Sequence, residues 1–93
     1  MVHIPNEGRR SAGEQAKLNK IGFRKGIPDY VLPVKNLRYG SLWIEMKRKQ
    51  EGVVSPEQLT WITALRALGN YACVAYGCEE AWEICMAYLE NRL

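Results

Sequence analysis

At 93 residues, 47% hydrophobic and 25% charged, the chain has the size and balance of one globular domain spanning residues 1–93, which excludes a disordered or low-complexity protein. Its net charge of +3 hides an asymmetry: residues 1–50 carry +7 and residues 51–93 carry −4, a pattern that points to a polyanionic partner. The longest apolar run, Tyr71 to Tyr76, is far short of the roughly 20 residues a membrane span requires.

The opening Met-Val-His-Ile-Pro-Asn-Glu lacks the basic-then-apolar order of a secretory signal. Cys73, Cys78 and Cys85 form no C-x-x-C pair and lie in apolar patterns, so they read as small buried thiols of a reducing compartment, and a cytoplasmic location is expected. Ser11-Ala12-Gly13-Glu14 is a capping box that opens a helix to about Ile21, closed by Gly22. Arg24-Lys25-Gly26-Ile27-Pro28 follows as a basic turn. Asp29 to Val34 reads as a strand, with Pro33 confined to its end or to a sheet edge. Ser41 to Arg48 is the clearest strand, with Leu42, Ile44 and Met46 on one face and Trp43, Glu45 and Lys47 on the other.

Ser55-Pro56-Glu57-Gln58 starts a second helix, with Ser55 as N-cap and Pro56 at the first helical position. Leu59, Ile62, Leu65 and Leu68 form its expected apolar stripe, with Trp61 beside it and Gly69 closing it. Tyr71 to Tyr76 is a strand buried on both faces, and a last helix begins near Glu79 and Glu80. Its inward residues are expected to be Ala81, Ile84, Cys85, Tyr88 and Leu89, and Trp82 is also expected to pack. The order α-β-β-α-β-α predicts an α/β sandwich around a small mixed sheet, the first two strands forming a hairpin and the third running parallel to its neighbour.

The chemistry gathers at Asp29, Glu45 and Lys47. If the two strands pair, Asp29 approaches Glu45, and two adjacent carboxylates repel unless a cation or a shared proton separates them. A divalent ion is the natural resolution, since Mg²⁺ takes one or two carboxylates, keeps several waters and accepts a phosphate oxygen. The Met46 carbonyl, between the two polar side chains, is a candidate third ligand. Lys47 would stand where it orients an attacking water or offsets charge on a phosphorane. The bland reading is an exposed charge pattern on an open sheet face. His3, the lone histidine, sits near the terminus and is not expected to be a general base. Trp43, beside Glu45, is expected to pack rather than to stack on a base.

Pro28-Asp29 followed, after fifteen residues, by Glu45-Met46-Lys47 resembles the motif of the PD-(D/E)xK nuclease superfamily. Together with His3-Ile4-Pro5-Asn6, Arg24-Lys25-Gly26-Ile27, Trp43-Ile44 and Ser55-Pro56-Glu57-Gln58, it resembles the VRR-NUC (virus-type replication-repair nuclease) family, in its minimal stand-alone phage or prophage form. The resemblance implies a restriction-endonuclease-like fold. It implies Asp29 and Glu45 as metal ligands, beside the Met46 carbonyl that the strand pleat offers, and Lys47 as the catalytic lysine. Gln58 matches the glutamine that family members place near the site, while also completing a capping box. Glu14 matches an acidic, metal-proximal position on the first helix, or is only a cap. The superfamily sheet has four strands where three are evident here, and Phe23 to Lys25 is a candidate for the fourth.

Arg9, Arg10, Arg24, Lys25, Arg48 and Lys49 flank the motif and are candidate phosphate contacts. The expected function is a Mg²⁺- or Mn²⁺-dependent DNA endonuclease. It is expected to select branched DNA in the manner of a Holliday-junction resolvase and to act as a homodimer in the cytoplasm of a bacterial host. The alternatives are a nickase or general structure-selective nuclease, or a non-catalytic basic DNA-binding module on the same fold.

Overall fold

The computed structural model describes residues 2–4, 26–48 and 52–93. The expected first helix over residues 11–21 and the candidate strand Phe23 to Lys25 lie outside the described residues. Among them, four strands and two helices follow in the order β1 (Val2–His3), β2 (Tyr30–Leu32), β3 (Leu42–Lys47), α1 (Pro56–Ala67), β4 (Tyr71–Tyr76) and α2 (Cys78–Leu89). The sheet order is β1-β2-β3-β4. β1 and β3 both run antiparallel to β2, and β4 runs parallel to β3 after the α1 crossover. The hairpin and the parallel third strand of the sequence reading are thus present.

The fourth strand of the described sheet is Val2–His3. It pairs Val2 with Val31 and His3 with Tyr30, and the Ile4 amide extends it by donating to the Asp29 carbonyl at 2.6 Å. Two residues are too few to show an alternation, so the strand had no signature in the sequence. β2 stops at Leu32, where the Val34 amide turns back to the Leu32 carbonyl at 2.8 Å around Pro33, which cannot donate to a ladder.

Alternation along β3 separates the two faces. Leu42 and Ile44 are fully buried with Ala75 and Tyr88 under α2, and Met46, Tyr30, Leu32, Tyr71 and Cys73 pack around them. On the other face Ile62 and Leu65 of α1 bury against Ala72, with Trp43, Trp61 and Val74 at the margin. Trp43 therefore packs, as expected, and its indole donates to the Ser41 hydroxyl at 2.7 Å.

Two expected stripes are narrower than the spacing suggested. Leu59 and Leu68 are 58% and 79% exposed. A series spaced by three drifts about 60° backwards at each step, so its two ends stand half a turn apart and only the middle pair, Ile62 and Leu65, faces the sheet. On α2 the burial centres on Tyr88, which leaves Trp82 67% and Leu89 49% exposed rather than inward. Trp82 instead walls an apolar groove of about 300 Å³ with Tyr30, Ile44, Met46, Cys78, Ala81 and Cys85.

Tyr88 also ties the loop after β2 to the C-terminus. Its hydroxyl donates to the Val34 carbonyl at 2.6 Å, with the Tyr39 carbonyl at 3.2 Å, and the Asn36 side chain donates to the Tyr88 carbonyl at 3.0 Å. Asn36 shapes the loop by accepting from the Arg38 and Tyr39 amides. Tyr88→Phe should leave a part-buried carbonyl short of a donor and cost about 1–3 kcal/mol, read as a lower denaturation midpoint at unchanged slope.

Burial pushes the Cys73 thiol up from 9.0 to about 11. The folded state thus holds a proton that the unfolded chain releases, so this stabilisation is complete below pH 9 and lost as pH rises to about 11. Melting temperature should fall across that window, and Cys73→Ala should flatten the fall.

Candidate active site

The expected residues meet where β2 and β3 end together. Tyr30 pairs with Ile44, and one step further along this antiparallel register Asp29 comes opposite Glu45, with Pro28 opposite Met46. Pro28 has no N–H, so the ladder cannot supply a donor to the Met46 carbonyl. The Met46 amide is taken instead by the Asp29 carboxylate, whose Oδ2 accepts from it at 3.0 Å. Proline thus ends the strand pairing and brings an aspartate side chain to the main chain between Glu45 and Lys47.

Glu45 is 3% exposed, the one buried acid among the described residues. Its Oε2 lies 3.9 Å from Lys47 Nζ, a long ion pair with both side chains mostly removed from water. Burying a carboxylate is costly unless a cation or hydrogen bonds compensate. Lys47, at that distance, supplies part of that compensation.

Two glycines hold this arrangement. Gly26 has φ of +92°, and a Cβ there would fall 2.6 Å from the Glu57 carbonyl carbon and 2.8 Å from the Gln58 nitrogen. The loop carrying Pro28 and Asp29 is therefore pressed onto the first turn of α1. A Cβ at Gly52 would fall 2.6–3.0 Å from Cβ, Cγ and Cδ of Lys47, so the Gly52 backbone lies along the lysine stem. The sequence reading missed Gly52. Its only signal is a glycine between the lysine strand and the capping box.

Gln58 stands beside the Gly26 contact, and its own side chain closes the capping box. Its Oε1 accepts from the Ser55 amide at 2.9 Å, while its amide donates to the Ser55 hydroxyl at 3.1 Å. Arg48 follows Lys47 and is exposed. Glu14, Arg9, Arg10, Arg24, Lys25 and Lys49 lie outside the described residues. His3 pairs with Tyr30 and sets its ring tilted against the tyrosine ring at 5.0 Å, on the sheet face opposite Glu45, so it takes no part in the site.

Among the described residues no three His, Cys, Asp or Glu side chains cluster as a cage. The donor set is two carboxylates, Asp29 and Glu45, and the Met46 carbonyl. That all-oxygen, acid-rich set suits a hard divalent cation that retains water and shares a phosphate oxygen with its substrate, rather than a zinc site. The residues present fit such an ion.

No protein-family model and no curated protein matches the sequence. Among solved structures, a protein described as "VRR_NUC domain protein" superposes with a TM-score of 0.78 and 28% identity, covering 81% of this chain. The fold and site define a small α/β domain with paired carboxylates and a lysine at the end of a β-hairpin. The likeness to that VRR_NUC domain protein supports membership of the same family, and the chain spans 62% of the length of that structural neighbour.

Both glycines should resist substitution. Gly26→Ala combines a disfavoured φ with a clash against helix backbone and should cost about 1–3 kcal/mol. Gly52→Ala meets the lysine stem down to its Cβ, 2.8 Å away, so it too should lower the melting temperature, and it should displace Lys47 as well. Thermal melts of the two variants check both losses.

Proposed function

We propose that the chain is a divalent-metal-dependent DNA endonuclease of the PD-(D/E)xK type. Its substrate is branched DNA, such as a four-way junction, cut by a homodimer in the cytoplasm of a bacterial host, from a phage or prophage gene. The observation that carries the reading is the Asp29 carboxylate fixed on the Met46 amide beside the buried Glu45 and Lys47 pair. The likeness to a protein described as carrying a VRR_NUC domain supports it. So does the +7 charge of the first half, which suits a polyanion. No helix among the described residues is long and apolar enough to cross a membrane.

Asp29, Glu45 and the Met46 carbonyl would hold Mg²⁺ or Mn²⁺. Such an ion supplies Lewis-acid charge that makes water a nucleophile at neutral pH and neutralises phosphate. The protein's own part is largely positional. Pairing of β2 with β3 sets the two carboxylates side by side. Lys47, held by its stem against Gly52, directs a cation to the place where negative charge grows on the phosphorane, so it lowers the barrier more than it tightens binding. Gln58 and Glu14 are the site's candidate outer groups. Arg48, with Arg9, Arg10, Arg24, Lys25 and Lys49, would neutralise flanking phosphates.

The test is cleavage of linear duplex, single-stranded, flap and four-way junction DNA with Mg²⁺, Mn²⁺ or chelator. Junction cutting that chelator abolishes is expected. Asp29→Asn and Glu45→Gln should each lose at least about a hundredfold in rate with the fold intact by circular dichroism. Lys47→Ala should lose about 10²–10³ in rate while keeping DNA affinity. A parallel loss of binding would instead make Lys47 a phosphate anchor and favour a non-catalytic DNA-binding module. Ser55→Ala and Gln58→Ala both break the capping box, at about 0.5–2 kcal/mol, and only Gln58→Ala should also slow cleavage.

A further inference from the structure

The end of the sheet away from Lys47 carries a polar cavity that the proposed chemistry does not use. It has a volume of about 320 Å³ and is lined by Tyr39, Arg66, Asn70, Tyr71 and Ala72. Leu42 pairs with Tyr71 at this end of the ladder between β3 and β4, and Lys47 pairs with Tyr76 at the other. Five residues of strand, about 17 Å, therefore separate the cavity from the Lys47 corner.

The cavity walls are pinned. The Gly40 amide donates to the Gly69 carbonyl at 3.0 Å, the Tyr71 amide to the Ser41 carbonyl at 2.9 Å, and the Ser41 hydroxyl to Asn70 Oδ1 at 2.6 Å. Tyr39 is held at both ends of its backbone. Its amide donates to Asn36 Oδ1 at 2.7 Å, and its carbonyl accepts from the Tyr88 hydroxyl at 3.2 Å. Its ring meets the Tyr71 ring edge-on at 5.2 Å.

Donors remain unused in this frame. Arg66 Nε donates to the Ala72 carbonyl at 2.8 Å, which orients the guanidinium plane and leaves both Nη groups without a protein acceptor among the described residues. The Tyr39 and Tyr71 hydroxyls have no partner among them either. Burial pushes the Tyr71 phenol up, Cys73 and Tyr39 act in the same direction and Arg66 opposes them, so the second phenol and the guanidinium lie within electrostatic reach of it.

Charge is sorted along the molecule. Asp29, Glu45 and Glu57 lie toward the Lys47 end, and so do Glu79, Glu80 and Glu83 in the first half of α2, which follows Tyr76 directly. Lys35 and Arg38, exposed in the loop that carries Tyr39, stand with Arg66 at the opposite end. Glu90, in the turn after α2, is already paired with Arg92 at 2.6 Å.

We infer that this cavity binds a phosphate group, held by the Arg66 guanidinium and the Tyr39 and Tyr71 hydroxyls, and that the phosphate belongs to the DNA strand. The source of the phosphate rests on the function proposed above; the chemistry of the cavity does not. No acid lines it, and a guanidinium whose plane is already fixed matches the oxygens of a phosphate with little left to order. Duplex DNA rises roughly 3.4 Å per base pair, so about 17 Å places this contact about five base pairs from the cleaved bond.

The test reads binding without metal. Amide and arginine Nε resonances of the full chain are followed by NMR as sodium phosphate replaces sodium chloride at constant ionic strength. Saturable shifts are expected at Arg66 Nε and at the Tyr71 and Ala72 amides, and none in Arg66→Gln. Arg66→Gln should also raise the dissociation constant for four-way junction DNA about threefold to tenfold, and lower its logarithmic salt slope by about 1. Should that variant unfold through the freed Ala72 carbonyl, Tyr39→Phe with Tyr71→Phe decides. It removes two hydroxyls that bond nothing else, and DNA affinity should fall about threefold at an unchanged salt slope, because no charge is lost. Phosphate shifts with no loss of DNA affinity in either variant assign the cavity to free phosphate and overturn the strand as its source. Shifts that are absent, or that spread over the surface without saturating, overturn the site. A wild type that binds DNA through Arg66 but cuts none overturns the nuclease reading and leaves this contact standing.

Discussion

The structure turns on how the pairing of β2 and β3 ends. Up to Tyr30 and Ile44 the ladder is ordinary main-chain pairing. At the next donor position it meets Pro28, and the Met46 amide finds its acceptor in the Asp29 carboxylate instead. One missing N–H thus ends the strand and fixes an aspartate against the neighbouring strand. It also leaves the Met46 carbonyl facing the same corner. Glu45 lies on the sheet face to which Asp29 belongs, so the acid pair is a consequence of register. A slip of one residue in β3 would send Glu45 and Lys47 to the α2 face and expose Ile44.

Register alone does not hold the corner, because both strands end in loops. Each loop is held by a contact that only glycine permits. Gly26 lays the Pro28 loop on the first turn of α1, and that turn is rigid because Ser55 and Gln58 satisfy each other's amides. Gly52 sets its own backbone against the Lys47 stem. The capping box therefore has two consequences, starting the helix and giving the Asp29 loop a fixed surface. This overlap explains why Gln58 reads as both a cap and a site residue.

What the sequence disclosed depended on whether its signals were local. The α1 start was legible because a capping box is a four-residue chemical statement. β3 and β4 were legible because six residues suffice for an alternation or an unbroken apolar run. Asp29, Glu45 and Lys47 stood out through the order and spacing of several blocks that together resemble a family motif, since short E-x-K strings on a strand are common by themselves. β1 escaped because two residues carry no period. Leu59, Leu68, Leu89 and Trp82 misled because their burial depends on how much sheet lies beneath each helix, a tertiary quantity. Gly52 escaped for the same reason, since its role is defined by a side chain that folds back over it.

The energetic position of Glu45 completes the argument. A domain this small buries only somewhat more than about 60% of its unfolded surface, so its margin of stability is thin. Within that margin it keeps a carboxylate at 3% exposure, offset by an ammonium 3.9 Å away. A buried ion pair is often no better for stability than two well-packed apolar residues of similar volume, and a long one is worse. On the same strand, Leu42 and Ile44 show what stability alone selects, two aliphatic side chains with no exposure. Glu45 and Lys47 depart from that choice at the end of the strand where Asp29 has been brought across. The departure is local and falls where Asp29, Glu45 and Lys47 meet, which is why the proposed chemistry is assigned to that corner.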